Sequence, residues 1–151
     1  MTMDRTEFEA LRDLPRKVIK DSVRLVLAPR TIPLCTADDV RIENSAGVDL
    51  TLNTNYTPAT GRFVVNVHVR GVGPICRLCV NGAFHAGAGR THKHAVTTAR
   101  CAGRNLPNAV ARPDIQGQTM AAVWQAFCAS AAIDHHGALL CDGADPTQVT
   151  L

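Results

Sequence analysis

Apolar and polar residues alternate along the middle of the chain with the period of two that a half-buried strand requires. Val48, Leu50 and Leu52 interleave with polar neighbours over residues 48–54. Residues 62–70 form the clearest strand, with Phe63, Val65, Val67 and Val69 on one face and Val64, Asn66, His68 and Arg70 on the other. Turn chemistry separates these runs. Asn44-Ser45-Ala46-Gly47 suits a hairpin connection between strands 40–43 and 48–54, and Gly71-Val72-Gly73-Pro74 ends the long strand. Residues 75–80 are predicted to return antiparallel and stop at the tight-turn dipeptide Asn81-Gly82. Residues 92–98 are a further strand. Upstream, 23–27 alternates weakly and is predicted as the first strand, followed by a loop through Pro29, Pro33 and the polar stretch 36–39.

Two segments follow the helical period instead. Over residues 2–14, Asp4 and Glu7 have capping-box spacing, Phe8 and Leu11 share a face, and Leu14-Pro15 ends the run. Over 119–132, Met120, Val123, Trp124, Phe127, Cys128 and Ala131 form one apolar stripe. The stretch 99–117 has no clean period and is predicted as a surface excursion. The expected architecture is α+β: an antiparallel meander packed by an N-terminal and a C-terminal helix. Residues 1–136 are expected to make one domain, and 137–151 a loosely held tail.

With 151 residues and 16.2 kDa, the chain is long enough for one substantial core. Only 4% of residues are aromatic, so Val, Leu, Ile, Ala and Cys must build it. No apolar run approaches the roughly 20 residues needed to span a bilayer. Asp4, Glu7 and Glu9 occupy the N-terminus where a secretory segment would be apolar, so the expected location is the cytoplasm. In that compartment Cys35, Cys76, Cys79, Cys101, Cys128 and Cys141 are expected as free thiols. No cofactor and no metal is expected.

The formal net charge of +3 conceals a segregation of sign. No acidic residue lies between Asp49 and Asp114, whereas Arg62, Arg70, Arg77, Arg90, Lys93, Arg100, Arg104 and Arg112 all do. Like charges gathered in one region attract phosphates. Arg62, Arg70, Arg77, Arg90, Lys93 and Arg100 are the expected contacts to nucleic acid. The scarcity of aromatics argues against base stacking, so recognition would be electrostatic.

Four of the six histidines also fall here: His68, His85, His92 and His94. Within a strand His92 and His94 share a face, with Lys93 opposite. Three chemistries suit His85, His92 and His94. They suit zinc ligation, although Cys76-x-x-Cys79 in a strand points to opposite faces. They suit general acid–base cleavage of RNA without metal, in which an arginine stabilises the phosphate charge. They also suit phosphate binding and backbone hydrogen bonding, the reading given most weight.

Arg77-Leu78-x-x-Asn81-Gly82-x-x-His85, a short glycine-containing loop, His92-x-His94 and a late Trp/Phe/Cys helix together resemble a family of small, uncharacterised bacterial proteins. The order of motifs is also distantly similar to that of small ribonuclease toxins of toxin–antitoxin pairs. The resemblance implies roles for Arg77, Asn81, His85, His92 and His94. Cys79 stands where that pattern has aspartate, and Ala86-Gly87-Ala88-Gly89 replaces a polar loop, which favours binding over catalysis. The expected function is binding of nucleic acid or of a nucleic-acid-handling complex. The alternatives are a metal-independent ribonuclease and a protein-binding module, such as a mobile-element inhibitor of the anti-CRISPR kind.

Overall fold

The computed structural model describes residues 2–82, 87, 89–95 and 109–148, the side chains of His94 and Ala95 excepted. Helix α1 (Arg5–Asp13) starts where its capping box dictates. The Asp4 carboxylate accepts from the Glu7 amide at 2.8 Å, and the Glu7 carboxylate accepts from the Asp4 amide at 2.9 Å. Phe8 and Leu11 are its buried stripe. Strands β1 (Lys17–Ile19), β2 (Val23–Ala28), β3 (Leu34–Ile42), β4 (Leu50–Thr57), β5 (Arg62–Val69), β6 (Gly73–Val80), β7 (His92–Ala95) and β8 (Val110–Ala111) follow. Helix α2 (Met120–Ser130) and strands β9 (Ile133–His135) and β10 (Leu139–Cys141) complete the described chain.

The main sheet has the order β10-β2-β3-β4-β5-β6-β7-β8, antiparallel throughout except for β10, which is parallel to β2. A separate pair, β1 and β9, is also parallel. Leu50, Leu52, Phe63, Val65, Val67, Leu78 and Val80 line the inner face, against which the apolar stripes of α1 and α2 pack. This is the α+β arrangement the periodicities predict. No described helix is long and apolar enough to cross a membrane.

Besides the short strands β1, β8 and β9, which the sequence pattern does not show, the structure departs from the sequence-based expectation at two further places. Residues 36–39, predicted as loop, lie inside β3. A register shift between Ala37 and Val40 absorbs the acidic pair, with Asp39 at φ 54° and its amide held by the Asn53 side chain at 2.8 Å. Residues 139–141, predicted as part of a loose tail, are paired: Val23 donates to Ala138, Asp142 donates to Leu25, and Arg24 grips Asp142 at 2.8 Å. A three-residue strand carries no readable period, and its partner lies more than a hundred residues upstream. Gly137 permits the approach, because a Cβ there would collide with the backbone of Asp21 and Ser22.

Two polar ties fix the layers. Trp124 Nε1 donates to His135 Nδ1 at 3.0 Å, so His135 Nε2 bears the proton and donates to the Asp21 carbonyl at 2.9 Å. Lys17, 2% exposed, donates through Nζ to the carbonyls of Arg12 (2.8 Å) and Leu14 (2.6 Å) at the C-terminal end of α1. Burial pushes its pKa down to about 8. Cys35, Cys76, Cys79 and Cys128 are buried and Cys141 half-buried, all as free thiols. Burial pushes the Cys128 pKa up to about 12, which makes it a small apolar packing unit with little thiolate.

Leu52 is fully buried on a central strand, so Leu52→Ala should lower the unfolding free energy by about 2–5 kcal/mol in denaturant melts. Lys17 supplies a pH test. Its folded pKa lies below its unfolded value, so the unfolded chain binds more protons between about pH 8 and the ordinary lysine value of 10.5. The native chain should gain stability across that window relative to Lys17→Met. Parallel stability curves for the two proteins would show that the ammonium is not desolvated.

Candidate functional site on the outer face of the sheet

Register assigns most polar side chains of the central strands to the face away from the helices, Thr54 and Lys93 excepted. Asn53 pairs with Asn66, Asn66 with Arg77, and Arg77 with His94, giving one row across β4, β5, β6 and β7. The next row toward the end of β5 contains Thr51, His68 and Pro74. On the other side lies a row of Asn55, Val64, Cys79 and His92, and beyond it Thr57 and Arg62. Arg62 and Asn66 are four residues apart on β5, about 13 Å at a rise of ~3.3 Å per residue.

This face divides into two strips. Val64, Cys79 and His92 are buried although they lie outside the main core. Arg62, Asn66, His68 and Arg77 are half-buried, and each has a polar atom inaccessible to solvent with no hydrogen-bond partner: Arg62 Nε, Asn66 Oδ1, His68 Nε2 and Arg77 Nε. Leaving such an atom unsatisfied costs about 1–3 kcal/mol, so three of them in adjoining rows, Asn66, His68 and Arg77, with Arg62 further along the same face, mark a place where stability is not the only demand. Neither guanidinium has an ion-pair partner among the described residues. His68 titrates below its ordinary value, first because burial disfavours the charged ring and then because Arg77 repels it, with Asp39 opposing weakly. The ring is therefore neutral at pH 7 beside an unneutralised arginine.

The remaining predicted residues are dispersed. Arg70 lies past the end of β5, exposed, with Asp49 at 3.5 Å. Arg90 is exposed and donates to the Gly82 carbonyl at 3.3 Å. Lys93 pairs with Leu78 on the inner face, and Arg112 joins it at the same cavity beside the helices. Arg100 lies outside the described residues. Of the catalytic candidates, His85 also lies outside them, as does the side chain of His94. His92 is 1% exposed, with Nδ1 donating to the Gly89 carbonyl at 3.2 Å, a position that holds a loop rather than one that exchanges protons with a ligand. Cys76 pairs with Val67 on the inner face and Cys79 with Val64 on the outer, so the two thiols cannot share a metal.

Asn66 and His68 are the candidate residues of this face that charge counting overlooks. Their signal is positional: alternation along β5 puts both on the polar face, and the hairpin at 71–74 brings Arg77 opposite Asn66. In an NMR titration His68 should protonate below the ordinary histidine value of 6.5. Arg77→Ala should move that midpoint upward, while burial keeps it under the ordinary value. An unmoved midpoint would separate the two side chains.

Comparison with protein-family models, with curated proteins and with solved structures gives no match, so the reading of this face rests on its own geometry and charge.

Proposed function

We propose that the outer face binds a polyanion, namely nucleic acid or a nucleoprotein, with Arg62 and Arg77 as its phosphate contacts and Asn66 and His68 as neutral polar partners. One observation carries this reading: the guanidinium groups of Arg62 and Arg77 belong to one sheet face, and neither has a carboxylate at ion-pair distance among the described residues. Asp39 and Asp49 stand only at the margin, where they share a groove with His68 and Arg70. Guanidinium groups suit phosphate because their planar donors match its oxygens. The burial of His92 supports binding over cleavage, since a general acid or base must reach its substrate.

Fluorescence anisotropy with labelled single-stranded and duplex RNA and DNA tests the reading. Affinity should fall steeply with salt, and Arg62→Ala and Arg77→Ala should each reduce the slope of log K against log salt by about 1. Arg24→Ala, which removes a residue already paired with Asp142, should leave the slope unchanged. Absence of binding to every nucleic acid at low salt would overturn the proposal. RNA cleavage that survives a chelator and disappears in His85→Ala or His94→Ala would favour the ribonuclease instead.

A further inference from the structure

The β10 edge of the main sheet carries a feature independent of the polyanion site. β10 is the outermost strand, and no described strand pairs with its other side. In its parallel ladder with β2, the Val23 amide donates to the Ala138 carbonyl and the Asp142 amide to the Leu25 carbonyl, with Leu140 between them. Backbone groups alternate in direction along a strand. Leu140 therefore faces β2, while Leu139 and Cys141 turn their N–H and C=O groups to the free side. That side borders a groove of about 670 Å³. Residues 137–140 form one wall, and Trp124, Gln125 and Ala129 of α2 form the other. The chain beyond β10 returns to the start of α2, where the Ala121 amide donates to the Pro146 carbonyl at 2.8 Å. The charge of the groove has one sign. Asp134 and Asp145, both exposed, line it, and no lysine or arginine does. Thr147 donates to Asp145 from its hydroxyl at 2.6 Å and its amide at 2.9 Å, which holds that carboxyl below the ordinary carboxylate range. No basic residue follows Arg112 in the sequence, and the nearby Arg24 is committed to Asp142.

We propose that an extended, lysine- or arginine-bearing segment of a partner protein adds as a strand to the free side of β10 in this groove. Its backbone pairs with Leu139 and Cys141, and its cationic side chains meet Asp134 and Asp145. A strand edge presents donors and acceptors in alternation, which another extended backbone satisfies best. Carboxylates with no neighbouring cation select a positive segment and reject an acidic one. The volume falls in the range of about 300–1,000 Å³ typical of binding clefts, room for a few residues and not for a folded domain. A second copy pairing through its own β10 would instead bring further carboxylates, Asp142 and Asp145, to an edge that is already acidic.

The test titrates the full chain with the peptide acetyl-Lys-Val-Lys-Val-Lys-amide and with its counterpart carrying glutamate in place of lysine. Trp124, the single tryptophan of the chain, lines the groove and reports occupancy by fluorescence. Amide hydrogen exchange reports the pairing itself. Saturating lysine peptide should slow exchange at Leu139 and Cys141 by about tenfold, and leave Leu140, already bonded to β2, nearly unchanged. The glutamate peptide should bind about tenfold more weakly at low salt, and Asp134→Asn should narrow that preference. Unchanged exchange at Leu139 and Cys141, or equal affinity for the two peptides, would overturn the proposal. So would protection that grows with protein concentration in the absence of peptide, which would assign the edge to a second copy. The groove shares no residue with the outer-face site, so neither result bears on polyanion binding.

Discussion

The uninterrupted pairing of β4 with β5, from Leu50 opposite Val69 to Thr57 opposite Arg62, is the constraint on which the other features depend. Eight consecutive pairs leave no slack in register. A slip of β4 by one residue would turn Leu50, Leu52 and Tyr56 to the outer face and bury Asn53 and Asn55 against the helices. The bulge in β3 and the irregularity between Val67 and His68 both lie outside this block or at its end, so the strands on either side can bend without disturbing it. Arg77 reaches Asn66, and Lys93 reaches the inner cavity, because β6 and β7 extend the same alternation.

A run of basic residues along a chain is therefore not one basic surface. In an antiparallel sheet, neighbours in sequence take opposite faces and residues on different strands become neighbours in space. Arg62 and Arg77 meet the solvent side, whereas Lys93 and Arg112 border the core. The positive charge of the middle segment is divided between two environments that differ in dielectric and in what they can admit. One is the outer face, where polar rows flank a buried strip of Val64, Cys79 and His92. The other is a confined apolar space in which each charge interacts more strongly.

Long elements announce themselves in the residue pattern because many positions agree. The four alternating positions of β5, the stripe of α2 and the capping box of α1 each specify their element locally. The same alternation places Cys76 and Cys79 on opposite faces. Strands of three residues have no such redundancy, and β1, β9 and β10 exist only through partners remote in sequence. The acidic pair Asp38-Asp39 reads as loop because a bulge tolerates what a regular ladder rejects. At the candidate site, the arginines follow from charge and the face of Asn66 and His68 from period. The burial of His92 does not follow, because it depends on what covers the sheet rather than on its own strand.

Parallel pairing of β1 with β9 and of β2 with β10 braids the two ends of the described chain. During synthesis on the ribosome, β2 to β6 can hairpin as they emerge and β1 can bridge to Glu43, whereas β9 and β10, the parallel partners of β1 and β2, emerge more than a hundred residues later. A nascent chain halted before residue 133 would expose the edge of β2 at Val23, Arg24 and Leu25. Late elements thus cover the edges of early ones, and translation speed past α2 sets how long the edge of β2 stays uncovered.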